Sequence, residues 1–106
     1  MNETEELEFI NTKLIIYLKH LCDDVDHEFD NLPLNIHCEN YVFINVKEMI
    51  DTFLEYVEDS LGKKPINRIH DILKFLHSNN VEIDKGVFKI SKPIINNLFL
   101  NTFKFT

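Results

Sequence analysis

The stretch "HLCDDVDHEFDN", residues 20–31, crowds side chains that could do chemistry into twelve positions. Carboxylate oxygens are the ligands that calcium prefers, and imidazole and thiolate groups suit zinc. Paired carboxylates can also act as general acid and base. The stretch could therefore be a metal site, a catalytic cluster or a surface that meets positive charge. Its five acids are Asp23, Asp24, Asp26, Glu28 and Asp30.

A calcium loop is the first possibility, and its pattern fails at two positions. A calcium-binding helix-loop-helix requires glycine at the sixth position of the loop and a bidentate glutamate at the twelfth. Counted from Asp24, those positions hold Phe29 and Asn35. The sharp turn and two ligand oxygens are missing, so the sequence does not predict a calcium site of this kind.

A transition-metal site is the second possibility. His20, Asp24 and His27 are spaced four and three residues apart, so they would share one helix face. Cys22 and the pair His37–Cys38 could add ligands. Zinc motifs usually carry closely paired ligands, such as two cysteines separated by two residues, and the sequence has no such pair. We therefore predict no metal and no cofactor.

Catalysis by a nucleophile or by carboxylates is not indicated either. The three serines, Ser60, Ser78 and Ser91, fall where helices begin or end. A nucleophile elbow needs glycine two residues before and two residues after the serine; only Ser60 has one of these, Gly62, and Glu58 stands at the other position. Two glycines in all cannot form a glycine-rich phosphate loop. Acids in an exposed run titrate normally and make poor catalytic acids. The sequence predicts a protein that is not an enzyme.

Charge distribution is the strongest signal in the chain. Residues 1–61 carry fifteen acids and three lysines, a net of −12, whereas residues 62–106 carry three acids and eight cations, a net of +5. Acids at a helix C-terminus oppose the helix dipole, and a positive partner would relieve that penalty. We therefore predict an acidic docking surface for a basic protein, formed by Asp23, Asp24, Asp26, Glu28, Asp30, Glu55, Glu58 and Asp59.

The elements that must position this surface are mostly helical. Apolar residues at spacings of three and four predict a helix from about residue 4 to the mid-twenties. Asn45 and Glu48 fit a helix start, and Gly62 fits its end. A third helix is expected from Pro65, with Ile66 on its apolar face, and a fourth after Ser91. Residues 34–44 alternate as strands do, and residues 81–90 form the clearest hairpin signal.

These signals predict one α+β domain over residues 1–106, predominantly helical, with three to four helices around one core and a small β-hairpin near residues 81–90. Residues 94–105 are apolar on nearly every side of a helix. We expect them to form a central element of the core. The alternative is a homodimer through this segment, because large exposed apolar patches often mark interfaces.

Composition indicates the compartment in which the protein works. There is no apolar run of membrane-spanning length and no signal-like start, so we expect a cytoplasmic protein that does not contact membranes, with Cys22 and Cys38 as free thiols.

The favoured function is that of a small inhibitor, an immunity or antitoxin-type protein that neutralises a basic, nuclease-like toxin by stoichiometric binding. One alternative is a phage or viral antagonist of a host nucleic-acid-binding protein, because abundant Ile, Asn and Lys suggest an AT-rich gene.

A second alternative is a DNA-binding regulator of winged-helix type. Its signal is the order of helix, hairpin and lysine-bearing turn in the basic last part of the chain. Lysines there could meet phosphates, but Asn67 and Arg68 are the only pair suited to reading bases at the start of a helix. The same lysines could instead balance the acidic part internally, so nucleic acid is the less favoured partner.

Overall fold

The structure is a computed structural model that describes residues 1–23 and 35–104. Its elements alternate between helices and short strands. The helices are α1 (Glu3–Asp23), α2 (Val46–Leu61), α3 (Ile69–Ser78) and α4 (Lys92–Thr102), with a 3₁₀ helix at Ile66–Arg68. The strands are β1 (Asn35–His37), β2 (Tyr41–Asn45), β3 (Glu82–Asp84) and β4 (Val87–Ser91). The predominantly helical α+β class predicted from the sequence is confirmed.

Helix α1 is the centre of the core. Most of its apolar stripe is buried, and the helix packs against α2, α4 and β2. The Tyr17 ring lies 5.4 Å from the Phe53 ring of α2, centroid to centroid. The stripe recurs every three to four residues, which keeps it on one helix face turned toward the other elements. Its fully buried members are Ile10, Leu14, Tyr17, Leu18 and Leu21.

Helix α2 begins and ends where the sequence predicts. The Asn45 side chain accepts a hydrogen bond from the Glu48 backbone N–H at 2.9 Å, which satisfies one of the free donors at the helix start. Gly62 ends the helix with φ +75°, a left-handed conformation that glycine adopts at little cost, and its N–H donates to the Glu58 carbonyl. These two local caps fix which side chains of α2 face outward.

Four antiparallel strands form one sheet in the order β1-β2-β4-β3. Strand β2 pairs with β4 over its whole length, from Tyr41 opposite Ser91 to Asn45 opposite Val87. The predicted hairpin is present: Lys85 and Gly86 form a two-residue turn with positive φ at both positions, which matches the twist of the strands. The side chains on the core face of β2 and β4 are Val42, Ile44, Phe88 and Ile90, all buried.

The entry to α3 differs from the sequence prediction. Pro65 does not start an α-helix; it precedes the 3₁₀ helix, in which the Arg68 N–H donates to the Pro65 carbonyl, and α3 begins at Ile69. A 3₁₀ helix has about three residues per turn, so the apolar stripe changes phase there. Ile66, expected on the buried face, is 65% exposed as a result.

Helix α4 is less central than expected. It starts at the predicted Ser91 cap, whose hydroxyl accepts a hydrogen bond from the Ile94 N–H, and it lies mainly along α1. Only Ile95 is fully buried, while Leu100 is 64% exposed. The middle of the core is occupied by α1, so α4 packs against it from one side. Phe105 lies outside the described residues.

Candidate functional site

The predicted docking surface divides into two groups of acids. Asp23 ends α1 as the structure describes it, and its Oδ2 lies 3.0 Å from Nζ of Lys19, one turn earlier. Glu55, Glu58 and Asp59 lie in the second half of α2. The four remaining predicted residues, Asp24, Asp26, Glu28 and Asp30, lie outside the described residues.

The two groups lie at opposite ends of the α1–α2 pair. Glu6, near the start of α1, lies 3.7 Å from Nζ of Lys63, just past the end of α2, while Tyr17 packs on Phe53 in the middle of α2. The helices therefore run antiparallel, and Asp23 is close to the start of α2. Among the described residues, Asp23 and the acids at the end of α2 do not form one continuous patch.

Helix α2 itself carries a longer acidic face than the sequence analysis identified. Glu48 and Asp51 precede Glu55 at spacings that place all of them on the same side of the helix. With Glu58 and Asp59 the acids cover an arc of roughly 100°, opposite the buried face, at 3.6 residues per turn. We call this set the α2 acidic stripe: Glu48, Asp51, Glu55, Glu58 and Asp59.

Few cations balance the stripe. Lys47 Nζ lies 2.8 Å from Asp51 Oδ2, and Lys64 Nζ lies 3.9 Å from Glu55 Oε1. Within residues 1–23 and 35–104, Glu58 and Asp59 have no ion pair, and the last turn of α2 contains no basic residue. Their charges oppose the negative end of the helix dipole, so this end of α2 favours a positive partner.

An open groove of about 430 Å³ runs beside the stripe. Three apolar side chains line it, together with Lys64 and with Asp51 and Glu55 of the stripe. Ile66 projects into solvent at this groove because of the 3₁₀ helix. The groove therefore combines an exposed aliphatic side chain with carboxylates. Its lining residues are Asp51, Leu54, Glu55, Lys64, Ile66 and Ile69.

Arg68, one of the two residues suited to reading bases, is held by contacts within the molecule. Its Nε lies 3.5 Å from Glu6 Oε1, its Nη1 lies 3.4 Å from Asp71 Oδ2, and its Nη2 donates to the Glu3 carbonyl at 3.1 Å. The side chain is only 14% exposed. These contacts tie the start of α1 to the start of α3, so part of the basic last segment does balance the acidic first segment.

Replacing Arg68 with glutamine is therefore expected to lower the melting temperature by several degrees, because Glu6 and Asp71 each lose a partner. The Arg68→Gln variant should not differ from the unaltered chain in binding to duplex DNA. Lys74→Gln is the matched control: Lys74 is exposed, has no ion pair within the part of the chain that the structure describes, and should leave the melting temperature unchanged. Thermal unfolding followed by circular dichroism measures both. An unchanged melting temperature for R68Q would show that the Arg68 contacts do not hold α1 to α3.

The described residues offer little for covalent or metal chemistry. Within residues 1–23 and 35–104, no three His, Cys, Asp or Glu side chains gather closely enough to hold a metal ion. Of the predicted metal candidates, Asp24 and His27 lie outside those ranges. Burial, and then the neighbouring Asp23 charge, raise the pKa of the Cys22 thiol to about 12, which keeps it protonated and a poor nucleophile near neutral pH. No helix in those ranges combines the length and apolar character needed to cross a bilayer.

Sequence reasoning missed Glu48, Asp51 and Ile66. The spacing of the two acids with Glu55 and Glu58 is visible in the sequence. The exposure of Ile66 depends on the 3₁₀ helix, which no sequence pattern indicates. No family model matches the chain, and neither the curated proteins nor the solved structures contain a significant match to it.

Proposed function

We propose that the chain is a protein-binding inhibitor that neutralises a basic, nuclease-like partner by stoichiometric binding, as an immunity or antitoxin-type protein does. The observation that carries this proposal is the α2 acidic stripe: five carboxylates on one helix face, four of them exposed and Glu58 half-buried, with ion pairs to only two lysines among the described residues. Binding of this kind needs a complementary charged surface and no reaction.

The physical basis is electrostatic. A concentrated negative face attracts a positive partner over roughly a Debye length, about 8 Å at physiological salt, and raises the rate of encounter. Like-charge contacts with acidic proteins are penalised, which adds selectivity. A cation bound beside Glu58 and Asp59 would also relieve their conflict with the end of the α2 dipole.

A phage or viral antagonist of a host nucleic-acid-binding protein would use the same surface, because such proteins present basic channels to nucleic acid. The two versions of the proposal differ in the partner and agree on the binding face.

Co-expression with the products of the genes adjoining its own tests the proposal. We expect a complex of one chain with one copy of a basic product, which co-elutes in size-exclusion chromatography and associates more slowly as salt is raised. The partner's nuclease activity, where present, should be lost in the complex. Failure of every basic product to bind, together with binding of duplex DNA, would contradict the proposal.

A DNA-binding regulator of winged-helix type is the second candidate, and the sheet order favours it. Strand β2 lies between α1 and α2 in the chain. It pairs with β4, the inner strand of the hairpin that follows α3, and β3 forms the edge of the sheet. Helix, strand, two helices and a hairpin in this order are the elements of a winged helix. Helix α3 would then enter the major groove, with exposed His70, Lys74 and His77, and Lys85 would be at the tip of the wing.

Two observations weigh against DNA as the ligand. Arg68 at the start of α3 is occupied by Glu6, Asp71 and the Glu3 carbonyl, so it is withdrawn from base reading. The α2 acidic stripe borders the start of α3 through the groove at Ile66, where it would repel phosphates. The same arrangement of helices is better suited to a basic protein than to a polyanion.

A further inference from the structure

We propose that the groove between α2 and the 3₁₀ helix binds a basic amphipathic helix of the partner, with an apolar side chain against Ile66 and cations along the α2 acidic stripe. This inference rests on the proposed function and names the binding site and the chemistry of its ligand.

Ile66 provides the apolar contact of the proposed site. It is 65% exposed, yet it lies beside Leu54, which is buried, and Ile69, which packs against the core. Partial burial of Ile66 by a partner would extend an apolar surface that already exists, so little reorganisation is needed. Apolar anchors of this kind are how helix-in-groove complexes obtain affinity.

Two carboxylates of the α2 acidic stripe give the groove its negative charge. Asp51 and Glu55 line the groove directly. The side chains of the lysines paired with them are exposed, Lys47 by 85% and Lys64 by 43%. Exposed ion pairs contribute little to stability, so a partner's cation can replace these lysines at small cost. Carboxylates beside aliphatic side chains favour a ligand that carries both cationic and apolar groups.

The length of the stripe indicates a helical ligand. From Glu48 to Asp59 the stripe spans twelve residues, and the eleven steps of about 1.5 Å between them make it about 16 Å long. A partner helix lying alongside α2 would present Lys or Arg every three to four residues to successive acids of the stripe. We therefore assign the groove to a basic amphipathic helix of about three turns or more.

The probe for this site is a synthetic helix of about fifteen residues made of leucine and lysine with helical period, titrated into the ¹⁵N-labelled protein. Amide shifts should concentrate in α2 and the 3₁₀ helix. Ile66→Ser should weaken binding about tenfold, as loss of a partly buried aliphatic contact does. The double variant Asp51→Asn, Glu55→Gln should weaken it by a similar factor.

The matched control is the double variant Glu39→Gln, Glu82→Gln, which removes two exposed acids from the sheet turns and strand β3 and should bind as the unaltered chain does. A second peptide with glutamate in place of lysine should not bind. Equal weakening by the stripe and control variants would show attraction to net charge alone and would overturn the inference.

Other outcomes also overturn the inference and separate it from the proposed function. Shifts confined to residues 1–8 or to the sheet would place the basic ligand elsewhere and leave protein binding intact. No binding of the lysine peptide would remove the groove as a site for basic helices, while the co-expression result would still decide whether the chain binds a basic protein.

Discussion

Replacing Phe53 with alanine is expected to lower the free energy of unfolding by about 3–5 kcal/mol, the usual cost of removing a large buried aromatic side chain. Phe53 is fully buried, and its ring contacts Tyr17 of α1 at 5.4 Å and Tyr56 at 6.3 Å between centroids. Domains of this size are typically stable by about 5–15 kcal/mol, so the variant should lose a large part of its stability. Urea denaturation measures the change.

Ile36→Ala is the control for Phe53→Ala. Ile36 is also a large apolar residue, but it is 69% exposed, so its loss should change the free energy of unfolding by no more than about 0.5 kcal/mol. Similar losses for the two variants would mean that α1 and α2 do not pack through Phe53.

Raising the pH from about 8 to about 11 is expected to lower the free energy of unfolding by about 4 kcal/mol through two buried acids, Cys22 and Tyr17. Burial raises the pKa of the Cys22 thiol from 9.0 to about 12. Burial also raises the pKa of the Tyr17 phenol well above its ordinary value of 10.0, an effect that a hydrogen bond with Thr52 partly offsets. Above the ordinary values the unfolded chain loses protons that the folded chain keeps, so stability falls as the pH rises.

The double variant Cys22→Ala, Tyr17→Phe isolates this effect. Its stability near pH 8 is expected to be lower than that of the unaltered chain, but the slope of stability against pH between about 9 and 11 should be much shallower. Urea midpoints collected across that range give the slope. Equal slopes for the two proteins would show that neither group stays protonated in the folded state.

How far the sequence predicts the fold depends on whether a signal is local. Asn45 and Gly62 define α2, and Lys85–Gly86 defines the hairpin, because caps and tight turns depend on a few neighbouring residues. The pairing of β2 with β4 joins residues more than forty positions apart, and no pattern within either strand specifies its partner. The four-stranded sheet was therefore not predictable, although the strands were.

In the candidate site, too, the features set by neighbouring residues were predictable and those set by tertiary structure were not. The acids of α2 follow helical spacing that the sequence displays, so their common face was open to prediction, and Glu55, Glu58 and Asp59 were identified. Ile66 fits the apolar period of a helix starting at Pro65, and only the 3₁₀ helix turns it outward. The opposite positions of Asp23 and the end of α2 follow from the antiparallel packing of two helices, a tertiary feature.

Fluorescence anisotropy with two labelled probes, the basic leucine–lysine helix and a duplex DNA of about 20 base pairs, tests most directly whether the α2 face meets positive or negative ligands. Both titrations are made at physiological salt and again at low salt. We predict saturable binding of the basic helix that strengthens as salt is lowered and weakens in the Asp51→Asn, Glu55→Gln variant, with no binding of the DNA. Saturable DNA binding that Lys74→Gln and Lys85→Gln weaken, with none to the basic helix, would contradict the account.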